Sequence, residues 1–320
     1  MSDTTLFEHA YYIGNIMGAI LYGFELSIYF MIMRGLFHHS TKIAPRRRQF
    51  CASYSTAMIL LSTIDVACNA VWGESMWITD RNVPGGVPAF IMAKVYIWYE
   101  TLGSTSVVAS VFLGDALLLF RLYLIYGRRH IIVAFPILAY LVALALAIQQ
   151  VVISGEPNGD FFGLKTIRIA VAYYAITIFL NILVTVLICL RLLRVSKIIY
   201  GALGAENAKV YTSTVAILVE SAAPYSVLGI MFLIPYALQS GIAILFGQLW
   251  SKMSGIAPQL IILRVVNGSA WHDEMNTRAE TALAFATTTT DTQPPAVALP
   301  DNSHPSHFAL EELPAARSKQ

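Results

Sequence analysis

Long apolar segments, separated by short polar breaks, fill the first 266 residues of the chain. An α-helix rises about 1.5 Å per residue, so roughly 20 apolar residues cross the hydrocarbon core of a bilayer. Seven segments reach this length, and they predict an all-α membrane protein built as a seven-helix transmembrane bundle. The predicted spans are residues 11–33, 50–72, 102–126, 131–153, 169–193, 212–237 and 241–266.

The breaks between the predicted spans carry turn-forming or charged residues, such as Pro84-Gly85-Gly86 and Gly127-Arg128-Arg129. Glycine and proline interrupt helices, and charged residues prefer the membrane surface. The shortest break, Gln239-Ser240-Gly241, predicts an antiparallel hairpin between the last two helices. A re-entrant element that enters and leaves the membrane on one side also fits this segment.

Basic residues are divided unevenly between the two ends of the predicted spans. Short cytoplasmic loops are enriched in Lys and Arg, and thirteen basic residues fall on one side against four on the other. We therefore predict that the N-terminus lies outside the cell and the C-terminus in the cytoplasm. The larger group is Arg34, Lys42, Arg46, Arg47, Arg48, Arg121, Arg128, Arg129, Arg191, Arg194, Lys197, Lys209 and Arg264; the smaller is Arg81, Lys94, Lys165 and Arg168.

The segments that flank the spans have a different composition. Residues 1–10 carry no Lys or Arg and predict a short extracellular N-terminus without a secretory signal. Residues 267–320 include four consecutive threonines and seven acidic side chains, and they predict a disordered cytoplasmic tail. A short surface helix over residues 269–286 also fits this composition.

Polar and small residues recur at steps of three and four along six of the seven spans, so each set lies on one helix face. Gly14 and Gly18 indicate close helix packing. A charge at mid-membrane costs about 2.5–3.5 kcal/mol on insertion scales, so it normally has a partner or a function. The predicted intramembrane polar network comprises Glu25, Asp65, Asn69, Asp115, Asn181, Glu220, Gln248, Lys252 and Gln259.

Four acids accompany a single deep lysine, Lys252, in this predicted network. One carboxylate can pair with Lys252, and the other acids must be protonated, solvated by water or linked to a cation. Prolines 224, 235 and 258 interrupt the last two spans, and proline kinks a helix because it removes a backbone hydrogen bond. Pro224, Pro235 and Pro258 therefore predict kinks, either static or at points where the helices swing.

Composition and motifs exclude several classes of function. Hydrophobic residues make up 57% of the chain and charged residues 12%, and the net charge of +2 gives no reason to expect nucleic acid as a partner. All seven histidines lie outside the spans or at their ends, and no catalytic or phosphate-binding motif occurs, so we expect no enzyme activity, metal or cofactor. The three cysteines fall in or beside apolar segments, so we expect no disulfide.

Lys252 suggests one specific alternative. A lysine midway along a seventh helix could bind retinal as a Schiff base, with a carboxylate as its counter-ion. Microbial rhodopsins usually carry Asp four residues before that lysine, and this chain has Gln248 there. A paired lysine, or one whose charged head reaches toward the membrane surface, is the competing interpretation.

Three segments carry a resemblance to a known group. They are Leu113–Tyr123 with Asp115 and Arg121, Val219–Ala223 with Glu220, and Gly255–Val265 with Pro258 and Arg264. Together they resemble a large family of seven-helix membrane proteins of basidiomycete fungi, most of them uncharacterised. The resemblance covers the spans and not the tail, and it implies no activity. The helix order is similar to that of G-protein-coupled receptors, although their usual motifs are missing.

Two functions fit this sequence. The first is a receptor-like sensor of a small or lipidic ligand in the plasma membrane, which signals to a cytoplasmic partner such as a heterotrimeric G protein. Its cytoplasmic basic face would comprise Arg121, Arg128, Arg129, Arg191, Arg194 and Lys197, although these residues could also serve only to set topology. The second is a proton-coupled transporter or channel that uses the intramembrane acids.

Overall fold

The chain folds into helices, and the part of it that the structure describes contains no strand. The computed structural model describes residues 3–38, 44–94, 96–127, 129–155, 164–203 and 205–290. These residues form α1 (Asp3–His38), α2 (Pro45–Glu74), α3 (Gly86–Lys94), α4 (Trp98–Ile125), α5 (His130–Gly155), α6 (Leu164–Leu203), α7 (Ala205–Ala237) and α8 (Ala243–Thr290). The prediction of an all-α protein is confirmed.

Within the described residues, six helical stretches are long and apolar enough to cross a membrane, which supports a multi-pass membrane protein. α8 contains the seventh predicted span, but polar residues such as Gln248, Lys252 and Gln259 make it less apolar than the others. The six stretches are Thr5–Phe37, Pro45–Thr79, Trp98–Ile125, His130–Ile153, Thr166–Gly201 and Thr212–Ala237.

α3 is a helix that the sequence pattern did not predict. α2 continues into a π-helical turn over Ser75–Thr79, and a turn with positive φ at Gly85 and Gly86 then leads into α3. The nine residues of α3 are too few to cross a bilayer, and for this reason the span criterion missed it. Phe90 packs against Trp72 with ring centroids 5.1 Å apart, so α3 covers the end of α2.

Small residues allow the central helix α4 to approach its neighbours. α4 packs against α2, α5 and α6. A face of small residues on α4, Gly103, Ser106, Ser110 and Gly114, is buried. A Cβ atom at Gly103 would lie 3.0 Å from the Cβ of Cys68 on α2, and one at Gly114 would lie 3.4 Å from the Cγ of Pro258 on α8. These faces are therefore helix contacts, as predicted.

Large apolar side chains cover the outside of the bundle. α5, the span without a predicted polar stripe, shows this most clearly, since Ile131 is 90% exposed and Leu138 61% exposed. Soluble monomers rarely expose contiguous apolar surface of this kind, whereas lipid-facing helices require it. The exterior therefore matches a lipid environment.

α7 and α8 form the predicted antiparallel hairpin. Gln239 adopts a positive φ of 55°, and the amide of Ser240 donates a hydrogen bond to the carbonyl of Pro235 at 2.9 Å. The rings of Phe232 and Trp250 stack across the hairpin with centroids 5.6 Å apart. The helices run through Pro224, Pro235 and Pro258 without a break in helical structure, and the predicted kinks stay predictions.

The boundaries of the two flanking segments can be placed against the predictions. α1 begins at Asp3, so most of the predicted N-terminal segment belongs to this helix. α8 ends at Thr290 and includes the region in which a helix over residues 269–286 was considered, while residues 291–320 lie outside the described part. The chain divides into two compact units, Met1–Asp273 and Glu274–Gln320. All the sites below lie in the first unit.

Candidate functional site

An ion pair between α2 and α8 lies at the centre of the first polar site. The Lys252 ammonium group pairs with Oδ2 of Asp65, and both residues are about 95% buried, with 4% and 5% exposure. Asn69, one helical turn from Asp65, donates from Nδ2 to Asp65 Oδ1 at 2.7 Å. Gln248, one turn before Lys252, donates from Nε2 to Asn69 Oδ1 at 3.5 Å. The predicted Lys252–carboxylate pair is therefore present, with Asp65 as the partner.

α1 completes this polar site from a third direction. The Tyr11 hydroxyl donates to the carbonyl oxygen of Asn69 at 3.1 Å, and Asn15 Nδ2 donates to the same oxygen at 3.3 Å. A Cβ atom at Gly14 would lie 2.5 Å from Gln248 Oε1, and one at Gly18 would lie 3.8 Å from Lys252 Cε. The two glycines therefore make room on α1 for polar side chains from α8, in addition to permitting close packing.

A second group of contacts joins the same three helices around Glu25. Ser62 Oγ on α2 donates to Glu25 Oε1 at 2.9 Å, and Gln259 Nε2 on α8 donates to the same oxygen at 3.0 Å. Glu25 and Gln259 are both fully buried, and each keeps one oxygen, Oε2 and Oε1 respectively, without a partner among the described residues. Gly255 is required here because a Cβ atom at this position would overlap the Glu25 carboxyl group.

These two groups of contacts join the same three helices, and we call them together the α1–α2–α8 cluster. Its polar side chains hold three helices together, and its one buried cation is matched by a buried carboxylate. No side chain in it is arranged as a nucleophile with a base. The cluster comprises Tyr11, Asn15, Glu25, Ser62, Asp65, Asn69, Gln248, Lys252 and Gln259.

Asp115 occupies a separate polar site on the other side of α8. It lies on α4, is 3% exposed, and has no hydrogen bond or ion pair among the described residues. It borders a partly open cavity of about 20 Å³ between α4, α6, α7 and α8. Asn181 and Tyr225 also line the cavity, and the Oδ1 atom of Asn181 and the hydroxyl of Tyr225 are buried without a hydrogen-bond partner within the described part of the chain. We call this site the Asp115 cavity.

Aromatic rings pack beside the Asp115 cavity. Trp250 on α8 lies 5.4 Å from Tyr225, measured between ring centroids, and 5.6 Å from Tyr174 on α6. Its indole nitrogen is buried and has no hydrogen-bond partner among the described residues. Edge-to-face and offset ring pairs of this kind add stability beyond the buried area alone. The cavity is therefore closed on this side by packed rings.

Glu220 does not join either site, which corrects its predicted place in the internal network. The buried face of α7 passes through Leu218, Ser221, Ala222 and Tyr225, at steps of three and four residues. Glu220 falls off this face and is exposed. Pro224, four residues after Glu220, is exposed as well, so this face of α7 lies on the outside.

The residues of the predicted cytoplasmic basic face differ in their exposure. Arg129, Arg191, Arg194 and Lys197 are exposed, whereas Arg121 is half-buried, and Arg128 lies outside the described residues. Of these, Arg191 makes a cation–π contact, with its guanidinium carbon 5.7 Å from the centre of the Tyr126 ring.

Sequence reasoning missed several residues that complete the two sites. Tyr11 and Asn15 lie in the first predicted span, three residues before Gly14 and Gly18 respectively. Their polar side chains follow the same helical spacing as the two glycines, and this pattern could have identified them. Tyr225 and Ser254 gave a weaker signal, because a lone tyrosine or serine in an apolar segment usually packs without a ligand.

No family model, no curated protein and no solved structure matches this chain. Its function is therefore argued from its own residues.

Proposed function

We propose that α8 forms the seventh membrane span, with the N-terminus outside and the C-terminus in the cytoplasm. The membrane part of α8 is buried at most positions from Trp250 to Val266. Its polar side chains meet α1 and α2 on one side and border the Asp115 cavity on the other. A helix shielded from lipid in this way tolerates polar residues that would be costly on a lipid-facing helix. The unequal distribution of Lys and Arg supports the orientation.

We further propose that the protein is a receptor-like sensor of a small or lipidic ligand in the plasma membrane. The observation that carries this proposal is the position of α8 between the α1–α2–α8 cluster, where Lys252 is paired with Asp65, and the Asp115 cavity, where Asp115 has no partner among the described residues. A helix held in this way can adopt two packing arrangements. A ligand that binds one arrangement more tightly shifts the equilibrium toward it. Its inner end carries Arg264, which donates to Ser213 Oγ on α7 at 3.0 Å. A shift of α8 would therefore alter the cytoplasmic surface presented to a partner such as a heterotrimeric G protein.

The distribution of the acids favours a receptor over a transporter. A proton-coupled path through Glu25, Asp65, Asp115 and Glu220 needs these groups along one continuous route. Glu25 and Asp65 belong to the α1–α2–α8 cluster, Asp115 to the cavity across α8, and Glu220 to the exposed side of α7. Retinal binding is disfavoured as well, because Lys252 does not line the Asp115 cavity.

Guanine-nucleotide exchange on the host's Gα subunits tests the receptor proposal. Membranes that contain the wild-type chain should accelerate exchange over empty membranes, and Arg121→Ala should remove the acceleration. Arg81→Ala is the matched control, because Arg81 is exposed and falls on the opposite, predicted outer side. Unchanged exchange, together with proton flux into proteoliposomes that Asp115→Asn abolishes, would contradict the receptor proposal and favour transport.

A further inference from the structure

The wall of the Asp115 cavity is mostly apolar, but several of its residues carry side-chain oxygen atoms of different kinds. The carboxylate of Asp115, the side-chain oxygen of Asn181 and the hydroxyl of Tyr225 come from α4, α6 and α7. Ser221 on α7 also lines the cavity, and its hydroxyl donates to the carbonyl of Leu218 at 3.0 Å, which leaves its oxygen lone pairs available. Carboxylate, amide and hydroxyl oxygens are ligands for hard cations.

α8 adds a backbone oxygen to this set. Residue 258 is a proline inside α8, so it has no amide hydrogen to donate to the carbonyl of Ser254, four residues earlier. This carbonyl lies beside Gly114, because a Cβ atom at Gly114 would be only 3.4 Å from it. Ser254, Pro258 and Gly114 all line the cavity. The Ser254 carbonyl oxygen therefore receives no hydrogen bond from the backbone of Pro258, and Gly114 has no side chain to cover it.

The charge of the site restricts what it can hold. Asp115 is the one carboxyl group among the described residues of the cavity wall, which include no Lys, Arg or His, and the deep lysine of the described chain is already paired with Asp65. One carboxylate is neutralised by one monovalent cation. A divalent ion normally needs more acidic ligands, and the described residues contain no group of three acidic, histidine or cysteine side chains that could hold a metal.

The size of the cavity restricts the ligand further. A volume of about 20 Å³ slightly exceeds the roughly 10–15 Å³ needed for one water molecule. An ion that keeps its hydration shell is too large, so the cation must be bound directly by protein oxygens. We propose that the Asp115 cavity is a binding site for one dehydrated monovalent cation of the size of Na⁺, held by Asp115, Asn181, Tyr225, Ser221 and the Ser254 carbonyl. The cation joins α4, α6, α7 and α8, as Lys252 joins α8 to α2.

A thermal unfolding series in different salts tests this site. The full chain, purified in detergent or nanodiscs, is unfolded in choline chloride to which NaCl, LiCl or KCl is added at constant ionic strength. The expected result is a saturable rise in Tm with Na⁺, of about 4 °C at ten times the dissociation constant, and a smaller rise with the larger K⁺. Equal Tm values in all four salts would overturn the proposal and indicate a neutral carboxyl group with water.

Matched variants assign the effect to this cavity. Asp115→Asn should abolish the Na⁺-dependent rise in Tm. Ser221→Ala removes one ligand and should raise the Na⁺ concentration for half the effect by about tenfold. Ser62→Ala makes the same chemical change in the α1–α2–α8 cluster and should leave the response to Na⁺ intact. A Na⁺ response that survives Ser221→Ala unchanged, or that Ser62→Ala weakens equally, would show that the ion binds elsewhere.

Discussion

The buried ionisable residues on the two sides of α8 have different surroundings. On the side of α1 and α2, Lys252 meets Asp65, and the surrounding amides and hydroxyls bond to one another. On the side of α4, α6 and α7, Asp115 has no ion pair or hydrogen bond within the described chain, and neighbouring oxygens lack partners as well. The first site supplies a counter-charge for its buried lysine, whereas the described residues supply no charged partner for Asp115.

This difference shows that residue type alone does not determine the role of a buried acidic side chain. Asp65 and Asp115 are equally buried and lie on adjacent helices. The role of each depends on the groups that neighbouring helices bring to it. A paired acid fixes the packing of the helices, while an unpaired acid beside a cavity is a candidate ligand.

The largest expected effect is the loss of the ion pair. Asp65→Asn keeps the size of the side chain but leaves the Lys252 ammonium group buried without a counter-charge. We expect a loss of about 3–5 kcal/mol in the free energy of unfolding. The measurement is chemical or thermal unfolding of the purified chain.

A double variant controls for this prediction. Asp65→Asn combined with Lys252→Met removes both charges, so it should recover much of the stability lost in Asp65→Asn. If the double variant loses as much free energy of unfolding as the two single variants together, Asp65 and Lys252 are not energetically coupled. This result would contradict the comparison between the two sides of α8.

A medium effect is expected from filling the space beside Glu25. Gly255→Ala places a methyl group against the Glu25 carboxyl group, which Ser62 and Gln259 hold in place. The expected cost is about 1–3 kcal/mol of stability. Gly23→Ala is the matched control, because a Cβ atom at Gly23 meets nothing within 4 Å. It should be neutral or slightly stabilising, and equal effects of the two variants in thermal unfolding would argue against the described packing.

A smaller effect is expected from removing one hydrogen bond of the cluster. Ser62→Ala takes away the hydroxyl that donates to Glu25, while Gln259 still donates to the same oxygen. Hydrogen bonds between membrane helices average well below 2 kcal/mol, so we expect a loss of about 1 kcal/mol in an unfolding titration. Ser27→Ala removes only a bond within α1, to the carbonyl of Gly23, and should cost less.

The smallest effect is expected for the unpaired acid. Asp115→Asn removes a buried charge without removing any described partner, so stability in Na⁺-free buffer should change by less than about 1 kcal/mol or increase. Asp65→Asn, measured in the same unfolding assay, provides the reference. A loss for Asp115→Asn as large as that for Asp65→Asn would remove the distinction between the two sides of α8.

The sequence alone predicted the helices well because each span has to be long and apolar. It also placed Glu25, Asp65 and Lys252 on inward faces, since polar residues at helical spacing avoid lipid. It could not choose which acid pairs with Lys252, because that choice depends on the rotation of α2 and α8 about their axes. For the same reason Glu220 was misplaced: an offset of one position from Ser221 moves a side chain about 100° around a helix.

Two further features were beyond sequence reasoning. The nine-residue α3 was missed because its length is typical of a loop as well as of a surface helix. The Asp115 cavity was missed because a cavity is a property of four helices together and leaves no pattern on any one of them. The sequence predicted Asn181 as part of the polar interior. Only the folded structure shows that Asn181 lines the same cavity as Tyr225 and Ser254.

The most direct test of this account is the side of the membrane on which each end of α8 lies. In a cysteine-free background, Leu238→Cys introduces a thiol at a position 74% exposed in the turn between α7 and α8. Lys197→Cys supplies a control on the predicted inner side, and a tag marks the C-terminus. We predict that an impermeant maleimide labels Leu238→Cys in intact cells, while Lys197→Cys and the tag are reached only after permeabilisation. Access to both Leu238→Cys and the C-terminal tag in intact cells would contradict a seventh span.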